Sequence, residues 1–202
     1  MGGSEREGRR RRGQESILES IVVVDKAWSR RIYEASVASV AGKNWSVASV
    51  ALERLGSGLV WFPATLAVLL ADTNHRSVTL NFLLGLILDI AIVGSIKGIF
   101  RRSRPNYTGE ENGGYKTIVK VDSFSFPSGH TSRMTYVACF CSLYLGAGPT
   151  CLVFLWAVAT AASRVVLGRH YCSDVLAGAA AGLVNVMLLT RGAFAASGLI
   201  FL

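Results

Sequence analysis

The sequence predicts an all-α fold, an integral membrane bundle of about six helices. Hydrophobic residues form 51% of the 202 residues and charged residues only 17%, against roughly 25% charged in soluble domains. The apolar residues also occur in long blocks, over 78–96, 134–147, 150–162 and 175–190, in which Asp89 is the single charge. With their flanks, several blocks reach the ~20 helical residues that cross a bilayer core.

The N-terminal part divides into a tail and a first helix. Residues 1–16 are rich in Gly, Arg, Glu and Ser, which predicts a disordered basic tail, and residues 17–202 are expected to form the membrane domain. Within residues 17–41, apolar side chains recur at spacings of three and four, as in a helix. Arg30 and Arg31 lie midway along this helix, so it suits the membrane interface, or packing against the bundle, better than a crossing.

The later helices follow from the apolar blocks and the breaks between them. We expect them over about 46–71, 77–101, 129–146, 150–167 and 171–190. The polar stretch 102–128 contains Gly and Asn and predicts a loop of functional length.

The net charge of +8 does not indicate a nucleic-acid-binding protein. The excess lies in the tail and in residues 97–104, without an independent basic domain that carries interleaved aromatic residues. A cytosolic tail beside anionic lipid headgroups accounts for the arginines of the tail.

Three polar blocks interrupt the apolar sequence, and the first contains Lys97 and Arg104. Polar residues among membrane helices are costly, which makes a functional site the default hypothesis. The two cations are seven residues apart, so a helix ended by Pro105 would place both on one face as a clamp for phosphate. The ordinary positive flank of a membrane helix explains this block equally well.

The second block is Pro127-Ser128-Gly129-His130, at the start of an apolar helix. Ser128 is a favourable N-cap, the N–H groups of a helix start bind anions, and Gly129 lets a ligand approach the backbone. His130 can donate a proton to a leaving oxygen, because the pKa of histidine lies near neutrality. The alternative is a helix start with an incidental histidine.

The third block contains Arg164, His170 and Asp174. His170 and Asp174 are four residues apart, one helical turn, so the carboxylate can hold one ring nitrogen and leave the other as a nucleophile. Arg164 adds a third cation to a pocket for an oxyanion. An interfacial His/Asp pair without a catalytic role is the alternative. Alternating crossings place all three blocks on one side of the membrane, which favours one shared site.

The three blocks together resemble the type 2 phosphatidic acid phosphatase (PAP2) superfamily, which includes vanadium haloperoxidases. The pattern Lys-x6-Arg-Pro, Pro-Ser-Gly-His and Ser-Arg-x5-His-x3-Asp is complete and in order over residues 97–174. The sequences around His130 and His170 resemble the branch that contains polyisoprenoid diphosphate phosphatases and plant lipid phosphate phosphatases of the beta type. The resemblance implies a helical core of the PAP2 and haloperoxidase kind.

The resemblance also implies roles for the residues of the blocks. His170 would attack phosphorus and form a phosphohistidine, Asp174 would orient it, and His130 would protonate the leaving oxygen and then activate water. The phosphoryl oxygens would be held where charge concentrates in the transition state, by Lys97, Arg104, Ser128, Gly129 and Arg164. These cations would replace a metal, so no cofactor is expected and activity would be independent of Mg²⁺.

The substrate is expected to be a membrane lipid phosphate or diphosphate, because a site at the ends of membrane helices admits a headgroup whose tail stays in the bilayer. Isoprenoid diphosphates come first on the branch resemblance, and phosphatidic, lysophosphatidic and sphingoid-base phosphates are the alternatives. The rivals are vanadate-dependent peroxidation, which the membrane helices disfavour, and a non-catalytic membrane scaffold.

The topology has two solutions. If the helix of residues 17–41 crosses the membrane, a cytosolic N-terminus places the site in the lumen or outside; if that helix lies in the interface, the site faces the cytosol. The uncharged turn at 146–150 then falls on the far side, as charge bias prefers. Modest helix lengths fit the endoplasmic reticulum. The sequence does not indicate an oligomeric state.

Overall fold

The computed structural model describes residues 2–39, 42–72, 74–107 and 120–191. This part of the chain is all-helical, which confirms the predicted fold class. The described residues form α1 (Gly2–Ala38), α2 (Gly42–Leu55), α3 (Gly58–Ala71), α4 (Arg76–Phe100), a short 3-10 helix (Lys120–Ser123), α5 (Gly129–Ser142), α6 (Ala147–Val166) and α7 (Cys172–Arg191). Helix α1 continues through residue 16, where the predicted tail ends, and the division of the chain into a tail and a membrane domain stays a prediction.

The helix predicted over 46–71 is divided into α2 and α3. These two helices meet at Gly56 and Ser57 with a bend of 45°, and the Ser57 hydroxyl caps α3 by accepting the Leu59 N–H at 3.2 Å. Close packing explains the glycine, since a Cβ on Gly56 would lie 3.1 Å from the side chain of Thr160 in α6. The bend therefore brings the α2–α3 junction against the bundle.

Three described helices, α4, α6 and α7, are long and apolar enough to cross a membrane. The bent pair α2–α3 would supply a fourth crossing if it forms one span. Helix α1 is not among these spans, although it is the longest helix of the described chain.

Helix α5 lies at the centre of the bundle and packs against α4, α6 and α7. Its Met134, Tyr136, Val137 and Ala138 side chains are fully buried, as expected of a helix that packs against neighbours on several sides. Helix α7 approaches it through two glycines one turn apart. A Cβ on Gly178 would lie 2.5 Å from a backbone carbonyl oxygen of α5's N-terminus, and small residues at this spacing allow such close packing in membranes.

Helix α1 packs onto the rest of the protein through a polar stripe rather than through its apolar one. Ser29 accepts the backbone N–H of Cys172 at 2.9 Å, and Ser36 donates to the carbonyl of Val166 at 3.3 Å. Asp25 belongs to the same stripe, one turn before Ser29. These contacts place α1 across the end of the bundle where α6 joins α7.

The apolar stripe predicted on α1 is exposed. Ile21, Val24 and Trp28 show 57%, 53% and 58% of their surfaces. An apolar face that points away from the protein, on a helix with several cations, suits a helix that lies in the membrane interface.

Candidate active site

The three polar blocks meet at one end of the bundle. A guanidinium nitrogen of Arg104, from the first block, lies 3.1 Å from Nε2 of His170, from the third. Ser128, from the second block, donates its backbone N–H to the carbonyl of Asp174 at 2.9 Å. Residues far apart in sequence therefore form one site.

Lys97 and Arg104 reach this site by a different route from the predicted one. Helix α4 ends at Phe100, and Arg101 adopts a left-handed conformation with φ of 47°. Arg104 consequently lies beyond the helix, in an irregular segment, and the argument from two turns of one helical face is wrong.

Backbone carbonyls fix the guanidinium of Arg104. It donates to the carbonyl oxygens of Ser123 at 3.2 Å, Asp122 at 2.7 Å and Arg169 at 2.9 Å. The planar fork of donors explains why arginine suits this position. The contacts tie the segment before α5 to the turn before α7, with the cation between them.

Lys97 is buried at the last turn of α4. Its ammonium donates to the carbonyl of Phe124 at 3.0 Å and to the carboxylate of Asp122 at 3.2 Å. The Asp122 side chain is 62% exposed, so it partly compensates the lysine from the open side of the site.

His170 is held with its Nε2 atom towards the cations. Its Nδ1 lies 2.7 Å from the carbonyl oxygen of Ser125, which assigns the proton to Nδ1 and the free electron pair to Nε2. Burial, followed by the charges of Arg104, Arg164 and Lys97, holds the pKa of His170 well below its usual range. The ring is therefore neutral at pH 7, the form that a nucleophile requires.

Asp174 lies beside His170 but does not take its proton-bearing nitrogen. The nearest carboxylate oxygen is 3.6 Å from Nδ1, which is too long for a hydrogen bond, and the same oxygen accepts the Tyr171 N–H at 2.9 Å. The backbone carbonyl of Ser125 holds the ring instead. A pattern of side-chain types in the sequence carries no information about such a backbone contact. Orientation of His170 by Asp174 stays a prediction.

The start of α5 has the predicted N-cap geometry. The Ser128 hydroxyl oxygen accepts a hydrogen bond from the Thr131 hydroxyl at 3.0 Å, so the hydroxyl proton of Ser128 is free to bond a phosphoryl oxygen. The backbone N–H of Ser128 is already bonded to the carbonyl of Asp174. Gly129 and His130 occupy the first turn of the helix, where backbone N–H groups lack partners within a helix.

Arg164 is fully buried in the last turn of α6. One of its terminal nitrogens donates to Glu53 of α2 at 3.1 Å. Within the described residues, its Nε and the other terminal nitrogen have no hydrogen-bond partner. Buried guanidinium donors without partners are costly, and a bound oxyanion would satisfy them.

Sequence reasoning did not single out Glu53, Arg133 or Arg102. Glu53 and Arg54 are the only charged residues within the helix predicted over 46–71, and this position could have indicated a role. Arg133 follows His130 by one turn and pairs with the buried Asp89 at 3.3 Å. Because Asp89 is the single carboxylate of an apolar helix, it could have indicated a buried cation as its partner. Arg102 lies in the first block, where three neighbouring arginines look alike in sequence.

The remaining histidine, His75, lies at the opposite end of α4 from Lys97. Its ring is 2.7 Å from the carboxylate of Asp72, and both side chains are exposed. Within the described part of the chain, no group of three His, Cys, Asp or Glu residues is arranged to hold a metal ion.

Comparison with known proteins decides the family. A sequence profile of the PAP2 superfamily matches residues 78–197, which is more than half of the chain and includes all three polar blocks. The chain belongs to the PAP2 superfamily. The family prediction is thus confirmed, together with the prediction of a membrane-embedded phosphatase.

Individual PAP2 proteins agree with this assignment. The chain is 37% identical over 157 residues to the probable lipid phosphate phosphatase beta of Arabidopsis thaliana, covering 64% of this chain and 72% of the relative. Its fold is similar to the crystal structure of LpxE from Aquifex aeolicus, with a TM-score of 0.63, 23% identity and coverage of 82% and 93% of the two chains. The fold is also similar to the crystal structure of the PAP2-type phosphatidylglycerolphosphate phosphatase of Bacillus subtilis, with a TM-score of 0.64, 24% identity and coverage of 85% of each chain.

Proposed function

We propose that this PAP2 phosphatase hydrolyses lipid phosphates or diphosphates through a phosphohistidine intermediate. Nε2 of His170 attacks phosphorus, so that a P–N bond forms while the P–O bond to the lipid breaks, and His130 gives its proton to the leaving oxygen. Water then attacks phosphorus, His130 takes the proton of that water, and the P–N bond breaks to release phosphate. The observation that carries the proposal is the ring of His170, whose Nδ1 is bonded to Ser125 and whose Nε2 faces the guanidinium of Arg104.

The phosphoryl group would be held by the cations around this nitrogen. Arg164 offers two donors without partners in the described chain, and Arg104 and Lys97 are buried nearby. The Ser128 hydroxyl and the N–H of Gly129 complete the set at the start of α5. Fixed donors aimed at developing charge are the largest single contribution in many enzymes, and here they would act without Mg²⁺.

The proposed substrate class is lipid, with isoprenoid diphosphates first and phosphatidic, lysophosphatidic and sphingoid-base phosphates as alternatives. The plant relative supports the lipid class through its name. Arg133 supports a diphosphate, because it follows the proposed acid His130 by one turn, and its Nε is buried without a partner among the described residues. A cation beside the leaving group suits a leaving group that is itself a phosphate.

We also propose that α1 lies in the interface, with its N-terminal tail in the cytosol and the site on the cytosolic side, in the endoplasmic reticulum. The exposed apolar stripe of α1 supports this arrangement. Labelling of single cysteines introduced at residue 6 and residue 101 in sealed microsomes would test it, and labelling of only one of the two would contradict it.

The deciding experiment measures phosphate release by the purified full-length chain across a panel of lipid mono- and diphosphates, with EDTA present throughout. We expect release with EDTA, and none above background for His170→Ala. His75→Ala is the matched control, because His75 is exposed, pairs with Asp72 and lies at the opposite end of α4 from Lys97, and it should keep wild-type activity. Release by His170→Ala at the wild-type rate would exclude the phosphohistidine, and absence of release from every substrate would favour a scaffold.

The panel also decides the substrate and the rival chemistry. A preference for isoprenoid diphosphates over all monophosphates is the expected result. A preference for phosphatidic or sphingoid-base phosphates would replace that substrate while leaving the mechanism intact. Halide oxidation on addition of vanadate and peroxide would instead support peroxidation.

A further inference from the structure

A carboxylate of α1 outside the three polar blocks is built into the site. The Asp25 side chain is only 9% exposed, on a helix whose neighbouring residues are mostly exposed. It accepts the backbone N–H of Ser173 at 3.0 Å, the hydroxyl of the same serine, and a terminal nitrogen of Arg102 at 2.7 Å. A carboxylate so far from water needs such partners, since an unpaired buried charge costs several kcal/mol.

Arg102 joins Asp25 to the proposed catalytic group Asp174. One terminal nitrogen binds Asp25, and the other lies 2.7 Å from both the carboxylate of Asp174 and the hydroxyl of Ser173. The guanidinium carbon also lies 4.1 Å from the centre of the Tyr171 ring. Because the donors of arginine share one rigid plane, the position of the Asp25 carboxylate fixes the direction from which Arg102 donates to the Asp174 carboxylate.

We propose that Asp25 is a positioning residue for the phosphatase reaction: it holds Arg102, and Arg102 holds the carboxylate of Asp174 beside the ring of His170. The inference rests on the proposed function, in which His170 is the nucleophile. Asp174 is fully buried and lies 3.6 Å from Nδ1 of His170, so a small rotation of its carboxylate changes that distance. Helix α1 is thereby part of the machinery of the site, and not only a cover over it.

The arrangement also sets the charge beside the nucleophile. Burial raises the pKa of Asp25, but the hydrogen bonds from Ser173 and Arg102 outweigh it and lower the pKa overall, so Asp25 is charged at neutral pH. Two carboxylates around one guanidinium leave a net negative charge behind the ring. The charged or titratable groups around His170 are Asp174, Arg104, Arg164, Lys97 and His130.

The test replaces Asp25 by Asn, which keeps the size and an oxygen acceptor but removes the charge. We expect kcat to fall about 10- to 100-fold, the range for partners that orient a functional group, and KM to change less than about 3-fold. The acid limb of the rate profile should move to lower pH, because the imidazolium form of His170 loses a nearby negative charge. Asp25→Glu, which restores the carboxylate, should recover part of kcat and bring the acid limb back towards its wild-type pH.

Ser29→Ala is the matched control. Ser29 lies one turn away on α1 and also binds the N-terminus of α7, at the N–H of Cys172, but it does not touch Arg102. We expect wild-type kcat and pH profile for this variant, with a lower melting temperature. Equal losses of kcat in Ser29→Ala and Asp25→Asn would show that Asp25 only anchors the helix, and would overturn the inference.

A comparison of two further variants covers the case in which Asp25→Asn does not fold. Arg102→Gln removes the intermediary, and Asp25→Asn/Arg102→Gln removes the charge of Asp25 as well; in both variants the fully buried Asp174 loses its ion pair with Arg102. Equal kcat for these two variants supports action through Arg102, whereas a further 10-fold loss in the double variant contradicts it. His170→Ala separates the two proposals: if it retains activity, the proposed mechanism fails, and if it is inactive while Asp25→Asn behaves as wild type, only the role of Asp25 fails.

Discussion

The guanidinium of Arg104 lies 3.1 Å from Nε2 of His170, the atom to which we assign the free electron pair. In the proposed mechanism, that pair must be released from the guanidinium before the nitrogen can attack phosphorus. An incoming phosphoryl oxygen offers the guanidinium a charged acceptor, and such hydrogen bonds are roughly twice as strong as neutral ones. In the proposed mechanism, substrate binding would therefore move the Arg104 donor from the attacking nitrogen of His170 to the phosphoryl group that is attacked.

The first prediction concerns this fork of donors. Arg104→Lys keeps the charge but cannot span the carbonyls of Ser123, Asp122 and Arg169 that now orient the side chain. We expect kcat/KM to fall about 100- to 1,000-fold, as when one donor to a transition-state oxyanion is removed. Arg101→Lys is the control, because Arg101 is exposed and its Nε donates to the carbonyl of Gly98 in the last turn of α4. Arg104→Lys with more than half of wild-type activity would refute the assignment.

The second prediction is a bell-shaped pH profile. Because burial and the neighbouring cations lower the pKa of His170, the ring stays neutral and the acid limb of kcat/KM should lie below the ordinary histidine pKa of about 6.5. Burial and the neighbouring cations also lower the pKa of His130, so in the proposed mechanism His130 carries its proton when the negative charge of a bound phosphate offsets those cations. The alkaline limb, which would report loss of that proton, is therefore expected in the profile of kcat, which describes the complex. A rate that stays flat from about pH 5 to 9 would contradict this pair of roles.

The substrate also ionises in this range, with a second phosphate pKa near ~6, so a variant is needed to assign the acid limb. Lys97→Gln removes one cation that lowers the pKa of His170 and leaves the substrate unchanged. We expect its acid limb to move to higher pH. An unmoved limb would assign that ionisation to the substrate.

The fold and the meeting of the three polar blocks at one end of the bundle could be predicted, because both depend on residue type and spacing. Apolar blocks define α4, α6 and α7, and Ser128 caps α5 as its type suggests. Alternating crossings then sufficed to bring the three blocks to one end.

The geometry within the site could not be predicted, because it depends on backbone atoms and irregular segments. The carbonyl of Ser125 holds His170, and any residue at that position has a carbonyl. The left-handed turn at Arg101 carries Arg104 off the helix, although arginine rarely adopts this conformation. On α1, the periodic apolar stripe drew attention, while the packing face contains Asp25 and Ser29, whose partners are distant in sequence.

The third prediction concerns the carboxylate that pairs with Arg164. Glu53 lies 3.1 Å from the guanidinium and would face a bound phosphate as a like charge. Glu53→Gln should tighten inhibition by vanadate, a phosphate mimic, about 10-fold, equivalent to 1.4 kcal/mol. The melting temperature of the phosphate-free protein should fall, because Arg164 is fully buried and loses its counter-charge.

Adding vanadate should restore the melting temperature of Glu53→Gln towards that of the wild type, since a ligand stabilises the state that binds it. Arg54→Gln is a suitable control, because Arg54 is the exposed neighbour of Glu53 on α2. Neither the inhibition by vanadate nor the melting temperature should change in this variant. Weaker vanadate binding by Glu53→Gln would instead mean that Glu53 orients Arg164 for the substrate.

The fourth prediction tests the contact between α7 and the start of α5. A Cβ at position 178 would lie 2.5 Å from the carbonyl oxygen of Ser128, so Gly178→Ala must separate the two helices. We expect a loss of stability of about 1–3 kcal/mol, the usual cost of overpacking. Activity should fall as well, because the backbone N–H of the same residue, Ser128, donates to the carbonyl of Asp174 at 2.9 Å, and a shift of Ser128 would disturb that contact.

Gly94→Ala in α4 is the matched control. No atom lies within 4 Å of a Cβ built there, and alanine in a helix is favoured over glycine by about 0.5–1 kcal/mol, so this variant should be as active as wild type and at least as stable. Thermal melting in detergent and phosphate release measure both effects. A Gly178→Ala protein with unchanged stability and activity would mean that α5 and α7 can move apart without cost, and would remove the reason for glycine at this position.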